Sequence, residues 1–343
     1  MTRLRIAVVG AGMAAPPHLR SLRDLQDRVE LAWVCGRDPA RLQRLQAEGV
    51  LPASARLTTR LDDVLEDTGV GAALVLTPPD THLALGERLA AAGKHLLVEK
   101  PLALTAAQAE ALVAACERHG VRLAVMLQHR ASPAALQLAE LVRSSALGRL
   151  TGASASVRWW RPQRYYDQPG RGTLARDGGG VLMTQAIHTL DLLLHLAGTP
   201  QRVSGLAATT PVHRMETEDR ACAVLQWAGG AIGVLDATTA AWPGYPERIA
   251  LDFTQATATL QAGALRLERP GAAPLLVGQP QASGGGADPM AFDHAGHRAV
   301  LQDFLAAVAE GRPALTEGRS ALAAQRLVEA VLQSARTGRA VAL

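Results

Sequence analysis

Residues 4–15 read LRIAVVGAGMAA, and this stretch decides the fold. The apolar, β-branched run Leu4–Val9 predicts a strand, and a GxGxxA turn follows it directly. Gly10 permits the tight turn, Gly12 lets a pyrophosphate approach the backbone, and the small Ala15 lets strand and helix pack closely. We therefore predict a dinucleotide site at Gly10, Gly12 and Met13, with the phosphates at the N-terminus of the following helix.

Outward from this turn, residues 1–126 alternate apolar strand patterns with amphipathic helix patterns. The predicted strands are Leu4–Val9, Glu30–Cys35, Ala72–Thr77, His95–Val98 and Arg122–Met126. The predicted helices are His18–Leu25, Pro39–Ala47, Thr81–Ala92 and Thr105–His119. Because strands that alternate with helices form a parallel, doubly wound sheet, the first domain is predicted to be an α/β Rossmann domain.

Residues 127–343 show a different pattern, in which apolar residues recur at every second position. The pattern covers Leu150–Trp160, Ala221–Trp227, Ala231–Ala237, Arg248–Asp252 and Ala256–Gln261. It predicts a C-terminal α+β domain with a large, mostly antiparallel sheet. Three helices and one exposed loop are also predicted. The last two of these helices can pack back on the first domain. These segments are the helices Leu182–Ala197, His297–Glu310 and Gly318–Arg336, and the loop at residues 271–289.

The composition excludes several classes of partner. A net charge of +4, dispersed arginines and 3% aromatic residues argue against nucleic acid. No apolar run reaches the roughly 18 residues of a membrane span, so no membrane partner is expected. Cys35, Cys116 and Cys222 are too widely spaced for a disulfide framework or a CxxC pair, which indicates a reducing, cytoplasmic location.

Lysine is rare in this chain, which suggests that an ammonium is needed where it occurs. Lysine and arginine total 35, and lysine occurs only at Lys94 and Lys100, which leaves 35 − 2 = 33 arginines. Lysine shifts its pKa more readily than arginine, so it is the better residue for exchanging protons. Lys100 follows a predicted strand and is therefore a candidate for chemistry.

The end of the second strand bears on the choice of cofactor. A carboxylate is expected there to bind the ribose of NAD, but the chain reads CGRD at residues 35–38, with Gly36 in that place. The Arg37 guanidinium suits the 2′-phosphate of NADP. The alternative is that Asp38 binds the ribose of NAD, so the cofactor is NADP or NAD, with NADP favoured.

Two further strand ends carry polar side chains. The predicted strand Ala72–Thr77 ends in TPPDTH at residues 77–82, and the predicted strand His95–Val98 is followed by EKP at residues 99–101. Ligands of open α/β sheets bind at the carboxyl ends of the strands. The cofactor-binding residues predicted here are Thr77, Pro78, His82, Glu99 and Lys100.

Two other groups of residues are considered as a substrate site and as a metal site. The segment 157–173, which includes Tyr165 and Arg171, offers cations, hydroxyls and aromatic faces that suit a polyhydroxylated or anionic substrate, although an ordinary packed strand and loop reads the same way. His294 and His297 are spaced i, i+3 without a third ligand, which is typical of a helix start. No metal is predicted.

In several motifs taken in order, the chain resembles the glucose-fructose oxidoreductase, inositol dehydrogenase and rhizopine-catabolism (Gfo/Idh/MocA) family. The motifs are the GxGxxA turn with His18, TPP with His82, EKP, DGGG at residues 177–180, HTLD at residues 188–191 and SARTGR at residues 334–339. The resemblance covers essentially the whole chain. It implies the two domains predicted above and oligomers formed through the outer face of the second sheet, as a homodimer or homotetramer.

The resemblance also implies roles for individual residues. Lys100 would lie beside the nicotinamide and substrate, and His188 would carry the proton. Residues 184, 188 and 191 fall on one face of a regular helix. The family places an aspartate four residues before the histidine, whereas this chain has Thr184, which can bind substrate but cannot act as a carboxylate base. The proton chemistry therefore shifts to His188 and Lys100, with Asp191 available to orient the imidazole. The predicted substrate-binding residues are Thr184, Asp191, Tyr165 and Arg171.

The expected activity is reversible hydride transfer between NAD(P) and the hydroxyl-bearing carbon of a sugar, sugar acid or cyclic polyol. Three alternatives stay open. The first is a nucleotide-sugar or dihydrodiol dehydrogenase. The second is a non-catalytic, ligand-sensing relative, and the third is glycoside cleavage through transient oxidation.

Overall fold

The computed structural model describes residues 3–280, 285–287 and 293–343, and the chain divides into two compact units. The first unit comprises Met1–Ala103, Ala107–Gln128 and Asp293–Leu322. The second comprises Leu104–Ala106, His129–Phe292 and Ala323–Leu343. The division after residue 128 lies two residues beyond the predicted boundary at 126, and residues 293–322 return to the first unit.

The first unit is built on a parallel sheet. Its strands are β1 (Leu4–Val9), β2 (Val29–Cys35), β3 (Arg56–Thr58), β4 (Ala72–Val75), β5 (His95–Val98) and β6 (Leu123–Val125). They lie in the order β3-β2-β1-β4-β5-β6, and every neighbouring pair is parallel. This is the doubly wound order that the alternating pattern predicts, so the predicted Rossmann fold is confirmed. The strand order reverses at β1 and β4, which fixes the ligand crevice at their carboxyl ends.

Helices follow the strands of this unit. They are α1 (Ala15–Asp24), α2 (Pro39–Ala47), α3 (Leu61–Glu66), α4 (His82–Ala91) and α5 (Ala106–Arg118). The apolar runs form strands because both faces are covered, as the complete burial of the successive residues Ile6, Ala7 and Val8 shows. Strand β3 and helix α3 are not predicted from the sequence. They are three and six residues long, and neither is long enough to show a hydrophobic period.

The rest of the chain begins with a helix and alternates strands with short helices. The helices are α6 (Pro133–Arg143), α7 (Gln163–Tyr166), α8 (Leu174–Asp177), α9 (Ile187–Ala197), α10 (Ala295–Glu310) and α11 (Gly318–Thr337). The strands are β7 (Leu150–Arg158), β8 (Arg202–Ala208), β9 (Arg220–Gln226), β10 (Ile232–Thr238), β11 (Arg248–Phe253), β12 (Thr257–Gln261), β13 (Ala264–Glu268), β14 (Leu275–Val277) and β15 (Val341–Ala342). The loop predicted at residues 271–289 contains β14, and its residues 281–284 and 288–289 lie outside the described part of the chain.

The second unit contains a nine-stranded sheet in the order β14-β13-β12-β11-β7-β10-β9-β8-β15. Its pairs are antiparallel except β7 with β10, which confirms the prediction of a mostly antiparallel sheet. One face packs into the core through alternate side chains such as Ala153, Ala155 and Val157 of β7. The opposite face of β8–β10 is exposed.

Among the residues that the structure describes, one helical run is long and apolar enough to cross a membrane by length and composition alone. It covers Leu174–Ala197, 24 residues whose most apolar 18-residue window has a mean hydropathy of 1.2. Because 83% of its most apolar window is buried inside the protein, it has the character of a core helix, which passes the same test.

Candidate functional site

The glycine turn after β1 has the shape that a dinucleotide phosphate requires. Gly10 has φ +103°, and a Cβ there would lie 2.9 Å from the Thr77 backbone nitrogen, so only glycine fits. A Cβ on Gly12 would meet nothing within 4 Å, and Met13 is exposed. No described side chain caps the N-terminus of α1. Pro16 and Pro17 carry no N–H, and the Ala15 N–H donates to the Gly12 carbonyl oxygen at 3.2 Å, so the first turn of α1 offers few backbone donors to an anion. The turn itself fits a pyrophosphate, because the missing side chain of Gly12 leaves room for close approach to the backbone.

The end of β2 presents two arginines. Arg37 is exposed, while the Asp38 carboxylate accepts a hydrogen bond of 3.1 Å from the Arg41 backbone N–H and so caps α2. Arg41 Nε in turn donates to the Ala11 carbonyl oxygen at 2.7 Å, which places a second guanidinium beside the glycine turn. Sequence reasoning missed Arg41. The available signal was its place in the first turn of α2, three residues after the capping Asp38.

The residues after β4 divide into exposed and buried positions. Thr77 and Pro78 are half-buried, and Thr77 lies beside Gly10, where a ligand of the crevice can reach it. The predicted cofactor contact of His82 is corrected, because its ring is fully buried. His82 Nε2 lies 2.7 Å from the Thr77 carbonyl oxygen and Nδ1 lies 3.1 Å from that of Pro101, so the ring ties the ends of β4 and β5 together.

Glu99 is also corrected from a cofactor contact to a buried internal partner. Its Oε1 lies 2.6 Å from His18 Nε2, and its Oε2 accepts the backbone N–H of Lys100 at 3.1 Å. Burial by itself raises the pKa of the Glu99 carboxyl, but the His18 hydrogen bond and the neighbouring positive charges lower it to about 2. Glu99 is therefore an anion at neutral pH. Lys100 itself is half-buried at the end of β5.

Within the described residues, one group of three side chains has metal-ligating atoms close together: His18, Glu99 and His297, whose donor atoms lie within 4.8 Å of one another. Two ligands on one zinc ion at 2.0–2.2 Å are about 3.3 Å apart. The 2.6 Å between His18 and Glu99 is shorter and fits a direct hydrogen bond. His294 is not part of this group, since its Nε2 lies 2.7 Å from Asp24 Oδ2.

His297 packs against His18 and is held neutral. The two imidazole rings meet edge to face with centroids 5.1 Å apart. Burial lowers the pKa of His297 to about 3. The ring therefore supplies no positive charge near Glu99 at neutral pH.

In the second unit, the DGGG motif sets the start of the helix that carries His188. Gly178 has φ +73°, and a Cβ on Gly180 would overlap the Glu218 backbone. The Glu218 carboxylate accepts the N–H groups of Gly180 and Leu182 at 3.0 and 3.1 Å. Glu218 thus caps this helix from a distant loop, and no local sequence signal could have identified it.

The first turn of this helix is a π turn, Leu182–Ala186, which continues into α9. The regular spacing expected of residues 184, 188 and 191 therefore does not hold across the turn, and single π turns are frequent at functional sites. The Thr184 hydroxyl lies 2.7 Å from the Gly180 carbonyl oxygen. His188 is buried, and its ring centroid lies 5.2 Å from that of His129.

Asp191 is corrected from a substrate and imidazole partner to an internal ion pair. Its carboxylate is 1% exposed and meets the Arg130 guanidinium in two hydrogen bonds, of which Nε to Oδ2 measures 2.7 Å. Burial raises the pKa of Asp191 and the Arg130 charge opposes this effect. The bidentate geometry is that of an ionised carboxylate.

Tyr165 and Arg171 lie together, as the sequence reading grouped them. The Arg171 Cζ stands 5.0 Å from the centroid of the Tyr165 ring, and Arg161 faces the same ring at 5.7 Å. The Tyr165 hydroxyl accepts a long hydrogen bond of 3.4 Å from Gln185, the neighbour of Thr184. Side chains from segment 157–173 therefore reach the π turn.

Comparison with known proteins matches the chain from end to end. Residues 4–127 match the description "Oxidoreductase family, NAD-binding Rossmann fold", residues 135–259 match the "GFO/IDH/MocA C-terminal domain", and residues 290–343 match the "Oxidoreductase family, C-terminal alpha/beta domain". The chain is 30% identical to a D-apiose dehydrogenase of Paraburkholderia graminis, over 99% of this chain and 90% of the relative. It is 26% identical to inositol 2-dehydrogenase 2 of Paenarthrobacter aurescens, over 96% of each.

A solved structure shows the same fold throughout. The WlbA dehydrogenase from Bordetella pertussis, in complex with NADH and UDP-GlcNAcA, superposes with a TM-score of 0.86 at 28% identity and covers 100% of this chain and 98% of its own. Sequence, domain order and fold agree. The chain therefore belongs to the Gfo/Idh/MocA oxidoreductase family and is an NAD-binding oxidoreductase.

Proposed function

We propose that this protein catalyses reversible hydride transfer between NAD(P) and the hydroxyl-bearing carbon of a sugar, sugar acid or cyclic polyol. The observation that carries the proposal is the parallel sheet edge itself. The uncapped glycine turn after β1, Thr77 after β4 and Lys100 after β5 all lie at the carboxyl ends of adjacent strands. Relatives named for apiose and inositol support this substrate class.

The proton chemistry is assigned to Lys100 and His188. The bound nicotinamide supplies the hydride acceptor. Hydride leaves an alcohol carbon only as the hydroxyl proton is taken, so a base must reach that oxygen. In the proposal His188 accepts the proton and the Lys100 ammonium binds the oxygen. Thr184 contributes a hydroxyl where the family has a carboxylate, and its role is limited to binding.

We propose that NADP(H) is preferred over NAD(H). Gly36 removes the usual ribose acceptor, and Asp38 is already engaged as the cap of α2. The guanidiniums of Arg37 and Arg41 instead offer charged donors for a 2′-phosphate.

A nucleotide sugar is the second candidate substrate. The observation that favours it is the 28% identical WlbA dehydrogenase, which was solved with UDP-GlcNAcA. The Arg171–Tyr165 pair suits the acidic sugar of such a molecule. A non-catalytic, ligand-sensing role is less well supported because Lys100 and His188 are both present.

We also propose a homodimer or homotetramer that assembles through the outer face of β8–β10. Four large apolar side chains are exposed there: Leu206, Val224, Ile232 and Val234. Adjacent exposed apolar residues of this kind mark an interface. The described structure leaves the cysteines as free thiols, which supports a cytoplasmic location, and the dispersed charge supports small molecules rather than nucleic acid or membrane as partners.

The test is absorbance at the reduced-nicotinamide band against sugars, polyols, sugar acids, nucleotide sugars and dihydrodiols, with NAD and NADP in parallel. We expect turnover with at least one substrate, and a loss of at least about a hundredfold in Lys100→Met and in His188→Ala. Both variants should still bind NADP(H). Near-normal turnover in both variants would show that the site is misassigned.

A further inference from the structure

Three buried polar side chains of the first unit have no part in the proposed proton transfer. His18 in α1, Glu99 at the end of β5 and His297 in α10 are 1%, 8% and 5% exposed. Buried charged groups are retained only where they are paired. Their arrangement centres on Glu99, which directly precedes Lys100.

The Glu99 carboxylate uses both oxygens. One accepts from the His18 ring at 2.6 Å, and the other accepts from the Lys100 backbone N–H at 3.1 Å. A carboxyl group whose two oxygens both accept hydrogen bonds carries no proton, so this pattern fits the anion and agrees with the lowered pKa of Glu99. His18 thus holds Glu99, and Glu99 in turn holds the peptide from which the lysine side chain extends.

The ionised carboxylate also acts on the charge of Lys100. Opposite charges stabilise each other more strongly in a buried site than in water. The titratable groups of this unit that act on Glu99 are His18 from α1, His297 from α10, His82 from α4 and Lys100 itself. His297 is neutral, and the ring nitrogens of His82 face backbone carbonyl oxygens. Glu99 is therefore the member of this set that supplies a negative charge to Lys100.

We propose that Glu99 and His18 are positioning residues for Lys100: the carboxylate, held by His18, fixes the Lys100 backbone and keeps its side chain an ammonium. This inference rests on the proposed function, in which that ammonium binds the reacting oxygen. His82 supports the other side of the same segment through the carbonyl oxygens of Pro101 and Leu102, at 3.1 and 3.2 Å. It provides no charge, so its contribution is to geometry.

The rarity of lysine provides a direct readout that does not depend on activity. Protein labelled with lysine carrying ¹³C at Cε gives side-chain signals from Lys94 and Lys100 alone, and a Lys100→Arg variant assigns them. Glu99→Gln keeps the acceptor oxygen but removes the charge. We expect the pKa of Lys100 to fall by about one unit or more in Glu99→Gln. Lys94, whose Nζ donates to the carbonyl oxygens of Asp67 and Val70, should keep its pKa.

Kinetics form the second arm, with conservative variants as the comparison. Glu99→Gln and His18→Leu should each lower kcat about tenfold or more while the Kd of NADP(H) stays within about twofold. His18→Gln keeps an N–H donor at the same place and should retain most of kcat. The matched control is His294→Gln, which removes a half-buried histidine three residues before His297 and should change neither readout.

The outcomes separate the two proposals. An unchanged Lys100 pKa in folded Glu99→Gln, or a kcat within twofold of the unmutated value, overturns the inference. Normal turnover in Lys100→Met overturns the proposed function instead. If His18→Leu does not fold, the titration of Lys100 in His18→Gln replaces the kinetic measurement on His18→Leu. If the pKa of Lys100 falls as far in His18→Gln as in Glu99→Gln, the role given to the His18 donor is contradicted.

Discussion

Arg130 and Asp191 form a bidentate ion pair in which both side chains are almost completely buried, 3% and 1% exposed. Removing one partner of such a pair leaves an uncompensated charge and typically costs about 3–5 kcal/mol. We expect Asp191→Leu to lose stability on this scale, and the double variant Arg130→Met/Asp191→Leu to recover part of it. Denaturant unfolding measures both. The control is Arg319→Ala, which breaks an exposed pair with Glu117 and should cost far less, because solvent screens an exposed ion pair. Equal losses in the single and double variants would contradict a paired charge.

Thr184 is predicted to be dispensable for proton transfer. Its hydroxyl lies against the Gly180 carbonyl oxygen, and a hydroxyl is too weak a base to replace a carboxylate. Thr184→Ala should therefore keep kcat within about tenfold, whereas His188→Ala should lose at least about a hundredfold. Thr184→Asp, which restores the family residue, should remain active. Steady-state kinetics on the same substrate decide the matter, and a Thr184→Ala loss equal to that of His188→Ala would refute the assignment.

The choice of cofactor should depend on the arginines at the end of β2. A charged hydrogen-bonded pair contributes about 1.5–3 kcal/mol, or roughly ten- to hundredfold in Kd. NADP(H) should bind more tightly than NAD(H), and Arg37→Ala should erase the difference. Arg41→Ala should weaken NADP(H) as well, while Arg44→Ala, one turn further along the exposed side of α2, should not. Fluorescence titration with both cofactors provides the values, and tighter NAD(H) binding by the unmutated protein would rule out the preference.

The exposed apolar face of the second sheet should be an interface. Val224 and Val234 are paired across β9 and β10, and both are about half exposed. Val234→Arg places a charge in the middle of this face and should shift the protein toward the monomer in light scattering at micromolar concentration. Val50→Arg, at a similarly exposed valine in the first unit, is the control. An unmutated protein that is already monomeric would contradict the proposal.

The buried His297 should make the protein less stable in mild acid. Its pKa is lowered from 6.5 to about 3 in the folded protein, so between these values the unfolded chain takes up a proton that the folded chain does not. Stability therefore falls as pH falls from 6.5 toward 3, by about 2 kcal/mol at pH 5. The pKa of Glu99 is also lowered, but the stability it contributes is lost only below about pH 4.3. Thermal melts from pH 7 to 5 should show a smaller loss in His297→Gln than in the unmutated protein or in His294→Gln. Parallel curves for all three proteins would disprove this.

The sequence predicts the elements of this fold where a local period is long enough to read. β1 and β5 have the predicted bounds, and Gly10 makes the predicted tight turn because a strand, a turn and a helix follow each other directly. β3 and β14 have three residues each, and no period of two can be recognised in so short a segment.

The site could be predicted less completely, because side-chain partners depend on contacts between distant segments. His82, Glu99 and Asp191 follow motifs in the expected order, yet their polar atoms are directed to Pro101, His18 and Arg130. Lys94 shares the rarity that singled out Lys100, but its ammonium binds two backbone carbonyl oxygens. A motif identifies which residues matter, but it does not distinguish contact with a ligand from support of a neighbour.

The return of residues 293–322 to the first unit limits how this protein can be recombined. The Val125 N–H donates to the Thr316 carbonyl oxygen, and Ala321 and Leu322 pack in the core beneath the parallel sheet. A fragment ending at residue 128 would lack both the partner of its last strand and part of its hydrophobic core. The nucleotide-binding unit is therefore not a portable N-terminal module. A chimaera that exchanges cofactor preference between relatives must transfer two separate pieces of chain, residues 1–128 and 293–322, and these pieces divide the second unit into residues 129–292 and 323–343.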